Sequence, residues 1–96
     1  MDRDIILDFL KNFKEKNSKK YHIKKIGIFG SIARNDYHPE SDIDIVVELD
    51  KQDFFLLIGI KQDIEEQFHK HVDIVSYRNR MNSFLKERIR KEAIYV

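Results

Sequence analysis

The chain has 96 residues, of which 42% are apolar and 36% charged, with a formal net charge of +1 and no cysteine. This describes one domain over residues 1–96 with a thin core, and it excludes a small secreted scaffold held by disulfides. The charged opening Met1-Asp2-Arg3-Asp4 and the shortness of the longest apolar run, Phe54 to Ile58, exclude a signal peptide and a membrane-spanning helix, so a cytoplasmic home without membrane contact is expected.

Ile5, Ile6, Phe9, Leu10 and Phe13 recur at helical spacing, which predicts an amphipathic helix over about residues 3 to 16 that stops at Asn17-Ser18. Residues 24 to 29 read as a first strand that ends at Gly30-Ser31, and Ser31 to Arg34 as the start of a short helix. Asn35 to Ser41 is a loop, and Asp42 to Leu49 is a second strand rich in Ile and Val. Asp53 is placed to cap a helix carrying Phe54, Leu57, Ile58, Ile64 and Phe68, with Gly59 a weak spot inside it. Val72 to Ser76 is a third strand. Asn82 can cap a last helix running to about Glu92, with Phe84, Leu85 and Ile89 inward, and Ala93 to Val96 can form a final short strand. This alternation predicts an α/β (α+β) fold, one small mixed sheet with helices packed against it.

Three short segments carry chemistry. In Ser41-Asp42-Ile43-Asp44-Ile45, side chains alternate, so Asp42 and Asp44 share one face of the strand while Ile43, Ile45 and Val47 supply the core. Two carboxylates about 6–7 Å apart at their Cα atoms repel unless a cation intervenes, and carboxylate oxygens suit a hard divalent ion. Alone, the pair reads more readily as the solvated start of a strand. Ile28-Phe29-Gly30-Ser31 runs a strand into a turn where glycine allows close backbone approach and the following N–H groups favour an anion. Arg34, one helical turn on, can reach the same anion with a forked guanidinium, although Gly-Ser alone is also an ordinary strand-to-helix turn. Asp73, flanked by Val72 and Ile74, joins Asp42 and Asp44 if its strand neighbours theirs.

Jointly, Gly30-Ser31, ten intervening residues, Asp42-Ile43-Asp44 and an aspartate on a later strand resemble the DNA polymerase β-like nucleotidyltransferase superfamily. The spelling Gly30-Ser31-Ile32-Ala33-Arg34-Asn35-Asp36, followed by Ser41-Asp42-Ile43-Asp44, is most similar to its minimal nucleotidyltransferase branch. Asn35 stands where that branch commonly has glycine, and asparagine tolerates left-handed backbone well. The resemblance implies that Asp42 and Asp44 bind two Mg²⁺ ions. Asp73 would bind the catalytic ion and orient or deprotonate the acceptor hydroxyl. Gly30 and Ser31 would hold the triphosphate of ATP, with Arg34 on a non-transferred phosphate and Ser41 a further phosphate contact.

Minimal members of this branch are similar to antitoxins paired with HEPN-type RNase toxins, which implies transfer of AMP onto a toxin tyrosine. The apolar density of Phe54, Phe55, Leu56, Leu57, Ile58 and Ile60 exceeds one helix stripe and fits a partner surface. The alternatives are a non-catalytic antitoxin that acts by contact and a transferase acting on a small molecule. Direct nucleic-acid binding is not expected, because no helix-hairpin-helix or thumb region is present. His69 and His71 read as a chance H-x-H at a helix-to-strand junction rather than a transition-metal site. His38 lies in the loop over the phosphate turn, and Arg78, Arg80, Arg88 and Arg90 read as a solvated helix face.

Overall fold

A computed structural model describes residues 2–96. Asp2 caps α1 (Arg3–Tyr21) by accepting the Asp4 N–H at 2.8 Å. This helix outlasts its expected stop at Asn17-Ser18. The Asn17 side chain folds back along the helix, its Nδ2 donating to the Phe13 carbonyl at 3.1 Å. The helix ends instead at His22, which turns left-handed at φ 57° and returns its N–H to Ser18. The extra turn carries Tyr21, which stacks on Phe13 and donates its hydroxyl to Asp63 at 2.6 Å.

β1 (Ile23–Phe29) leads directly into α2 (Gly30–Arg34), and β2 spans Ile43–Leu49. Asp53 caps α3 (Phe54–Phe68) by accepting the Phe55 N–H. Gly59, expected as a weak spot, has a packing reason: a Cβ there would sit 2.7 Å from Tyr21 Cε1. β3 (Val72–Ser76), α4 (Ser83–Glu92, capped by Asn82, whose side-chain Oδ1 accepts the Leu85 N–H) and β4 (Ile94–Tyr95) complete the order.

The sheet runs β3-β2-β1-β4. β1 pairs antiparallel with β2 and β4, whereas β2 and β3 are parallel, which makes the sheet mixed as expected. The crossover between β2 and β3 is α3, the usual device for joining parallel neighbours. Alternation along β2 then divides the residues. Ile43, Ile45 and Val47 meet α1 and α3 through Ile6, Leu10, Phe13, Ile60 and Ile64, all buried. Val46 faces the other way, with Phe29 and Ile89, beneath α4.

Two expectations about side chains change. Phe84 is 83% exposed rather than inward, so α4 packs through Leu85 and Ile89. At the start of α3, Phe54 and Phe55 are 70% and 78% exposed, while Leu56, Leu57 and Ile58 are half-buried and Ile60 is fully buried. The unspent apolar surface of that helix is therefore confined to its first turn. Among the described residues, no helix is long and apolar enough to cross a membrane.

Candidate active site

The parallel register of β2 and β3 places Asp44 directly beside Asp73, and Ile43 beside Val72. Adjacency that the sequence left conditional is therefore set by strand pairing. Asp42 lies one residue before β2 rather than inside it, yet it stays at the cluster because Ile43 N–H donates to the His71 carbonyl at 3.0 Å. Asp42 and Asp73 are exposed, and Asp44 is half-buried.

A residue outside the expected set completes this group. His71 Nδ1 lies 3.4 Å from Asp42 Oδ2 and 3.7 Å from Asp73 Oδ1. The ligand atoms of Asp42, His71 and Asp73 all lie within 4.8 Å of one another. The available signal was parity: His71 and Asp73 are two apart at a strand start and share a face.

Gly30 faces this cluster. Its φ of +76° is a conformation that L side chains resist, and a Cβ there would lie 2.1 Å from Asp44 Oδ2. The turn therefore has to be glycine on two counts, backbone conformation and room for the carboxylate. Phe29, one residue earlier, pairs with Asp44 across the β1–β2 ladder, which fixes the turn and the acid on adjacent strands. At the far end of α2, Asn35 takes φ 65° and caps the helix, as its place after Arg34 requires. From α1, Arg3 Nη1 donates to the Ala33 carbonyl at 2.9 Å and braces the same short helix.

Electrostatics mark Asp44 as the strained member. Burial pushes its carboxyl above the ordinary aspartate range; the charges of Asp73 and Asp42 add to this, and those of Arg88 and Arg34 oppose it. Carboxylates drawn together, one of them half desolvated, form a donor set that fits a hard divalent cation, since such an ion relieves the repulsion and takes oxygen ligands. Asp42, His71 and Asp73 are the residues whose ligand atoms lie close enough together to meet one ion, with Asp44 beside Asp73 across the strand pair.

Arg34 is tied on both sides. Its Nε donates to Asp36 Oδ2 at 3.1 Å and its Nη1 to Glu92 Oε1 at 3.0 Å, and these acids hold its guanidinium charged above its already high ordinary range, Asp36 most of all. Ser41 lies in the preceding loop, where its Oγ accepts the His38 N–H at 2.8 Å. Its hydroxyl thus shapes the turn while keeping its own hydrogen to donate.

Residues 10–96 match the family model described as a nucleotidyltransferase domain. The chain belongs to the nucleotidyltransferase family. Among its relatives, a candidate protein adenylyltransferase of Methanocaldococcus jannaschii is 42% identical over 78 residues, covering 80% of this chain and 83% of the relative. A solved candidate minimal nucleotidyltransferase superposes with a TM-score of 0.77 at 26% identity, covering 98% of this chain and 95% of that one. Tri-AMPylated Shewanella oneidensis HEPN toxin in complex with MNT antitoxin contains a chain of the same fold, at TM-score 0.71 and 18% identity, covering 97% of this chain and 70% of that one. The fold is the polymerase β-like one that the signature implied, and this nucleotidyltransferase groups with protein adenylyltransferases.

Proposed function

We propose that this nucleotidyltransferase is a single-domain, Mg²⁺-dependent protein adenylyltransferase over residues 1–96, which moves AMP from ATP onto a tyrosine hydroxyl of a HEPN-type toxin and so acts as its antitoxin. The observation that carries the reading is the register of β2 on β3, which sets Asp44 beside Asp73 opposite the Gly30 turn. A site for metal-bound phosphate needs this: acids on one side and a close-approach backbone turn on the other. The M. jannaschii relative supports the protein substrate, and the HEPN–MNT complex supports the partner class.

In this reading Asp42, Asp44 and Asp73 hold two Mg²⁺ ions, which when bound neutralise charge on the triphosphate and on the leaving pyrophosphate. Gly30 and Ser31 seat the non-transferred phosphates, Arg34 adds a guanidinium to them, and Ser41 donates its free O–H. Asp73, exposed at the edge strand, faces the acceptor and draws the proton from its hydroxyl. The acceptor oxygen bonds the α-phosphorus, the bond to the bridging oxygen breaks, and pyrophosphate leaves. The protein's contribution is position and charge.

The test is transfer of label from α-³²P-ATP, with Mg²⁺, onto a HEPN-type toxin co-purified with the protein. Labelling of one or more tyrosines that ceases in Asp42→Asn and Asp44→Asn is expected. Neutralisation of the toxin that survives both substitutions would instead establish inhibition by contact alone.

A further inference from the structure

The last helix, read from sequence as a solvated basic face, reaches into the site. Arg88 lies in the middle of α4 with its guanidinium carbon 5.7 Å from the centre of the Phe29 ring. Phe29 is the residue paired with Asp44 across the ladder, and the two share the α4-facing side of the sheet. Arg88 is thus stacked over the residue that leads into Gly30, on the side where Asp44 points.

Glu92, one helical turn later, gathers what surrounds it. Its Oε1 accepts the Gly30 N–H at 3.1 Å and Arg34 Nη1 at 3.0 Å, and lies 3.7 Å from Arg88 Nη2. Its side chain is only 18% exposed, against 51% for that of Arg88. One shielded carboxylate oxygen therefore draws two guanidinium groups and the turn's amide to a single point. Two arginines brought this close repel each other, and the carboxylate between them offsets that repulsion. Each guanidinium has five N–H donors in a rigid fork, so Arg34, which gives one to Glu92, and Arg88, which only pairs with it at 3.7 Å, both keep donors for a second anion.

We infer that Arg88 is a second phosphate-binding guanidinium for the nucleotide's non-transferred phosphates, and that Glu92 is a positioning residue that holds Arg88 and Arg34 beside the Gly30 turn. The ligand class is a nucleoside triphosphate, recognised by its tail and not by its base. This rests on the nucleotide-transfer reading of the same site and adds a residue set from an element the signature does not include. Arg88 contributes because its side chain is half exposed; Glu92, which is shielded, contributes by holding the two guanidinium groups together.

The two claims separate in Mg²⁺-containing titrations of the intact protein with AMP-PNP and with AMP, followed by NMR. Arg88→Ala is expected to weaken AMP-PNP about tenfold to a hundredfold, the scale of a charge-assisted hydrogen bond, and to leave AMP unchanged. Glu92→Gln is expected to weaken AMP-PNP several-fold, again sparing AMP, with the Tm monitored so that loss of fold is not mistaken for loss of binding. Arg90→Ala, which removes a side chain that among the described residues pairs only with Glu87, is expected to bind both ligands as the native protein does. Equal loss of AMP and AMP-PNP in Arg88→Ala, or no loss of either, overturns the role of Arg88 while nucleotide transfer stands. Tighter AMP-PNP binding by Glu92→Gln overturns the positioning role and marks Glu92 as a competitor of phosphate. A native protein that binds no nucleotide removes both this inference and the reading it rests on.

Discussion

The two faces of the sheet are built to different rules. On one, α1 and α3 close over Ile26, Ile28, Ile43, Ile45 and Val47, all buried. On the other, α4 covers Phe29 and Val46 but leaves Asp44 half-buried and Asp42, His71 and Asp73 exposed. A single strand serves both, since β2 sends its odd-numbered residues to the core and its even-numbered ones toward α4. Stability is concentrated on the closed face, and the carboxylate repulsion is tolerated on the open one.

The largest test of this division is Asp44→Asn. Loss of the central carboxylate is expected to reduce AMP transfer about a thousandfold, which is about 4 kcal/mol of transition-state stabilisation. The same substitution should stabilise the metal-free protein. Burial and the neighbouring acids raise the Asp44 pKa in the folded state, so the folded chain holds that proton more tightly than the unfolded chain does. Ionising Asp44 therefore costs stability as pH rises through this range. Asparagine removes the cost, and the Tm of the variant should exceed that of the native protein at neutral pH. The gap should close in acid below about pH 3.9, the ordinary aspartate value, where both states carry the proton. Added Mg²⁺ should raise the Tm of the native protein and leave the variant unmoved.

One residue further along the same strand, the effect should reverse in kind. Ile45 is fully buried on the closed face, and Ile45→Ala is expected to cost about 2–5 kcal/mol, the scale of an aliphatic side chain replaced by a cavity. Chemical denaturation measures it. What remains folded should bind AMP-PNP normally.

The difference between the faces also explains what was legible in the sequence. The closed face was legible because it follows periodicity: Ile6, Leu10 and Phe13 on α1 and the alternation of β2 are local patterns with one solution. The acids and the Gly30 turn were legible through their joint spacing. Arg88 and Glu92 were not, because nothing within α4 states which strand it will cover, and an arginine four residues before a glutamate reads as an ordinary surface pair. The end of α1 was missed for a related reason. Asn17 and Ser18 are poor helix residues, and the partners that keep the helix going to Tyr21, Phe13 and Asp63, are settled by packing.

Gly30→Ala lies where the faces meet. Forcing a side chain into φ +76° is expected to cost about 1–3 kcal/mol, and the new methyl displaces the Asp44 carboxylate from the turn. Activity should fall together with stability, unlike in Asp44→Asn, where the two part. Comparing the Tm and label transfer of the two variants shows whether the glycine serves the backbone alone or the acid as well.

The smallest effect belongs to the closed face, at the hydroxyl of Tyr21. Its hydrogen bond to Asp63 joins the last turn of α1 to α3 just where Gly59 lets the ring approach. Tyr21→Phe keeps the stacking on Phe13 and removes only this bond, so a loss of about 1 kcal/mol is expected, a drop of roughly 4–8 °C in Tm for a domain of this size. Burial, with the bond and the charge of Asp63, pushes the phenol up to about 12. Because the folded value is the higher one, the stabilisation is complete below pH 10 and is lost as pH rises through the folded value. The Tm difference between native protein and Tyr21→Phe should therefore be constant through neutral pH and narrow between pH 10 and about 12. AMP transfer by the variant should match that of the native protein, because the bond lies on the side of the sheet away from the acids. A Tm difference that stays flat from neutral pH to about 12 would show that the hydroxyl is not held by Asp63, and that the join between α1 and α3 rests on the ring alone.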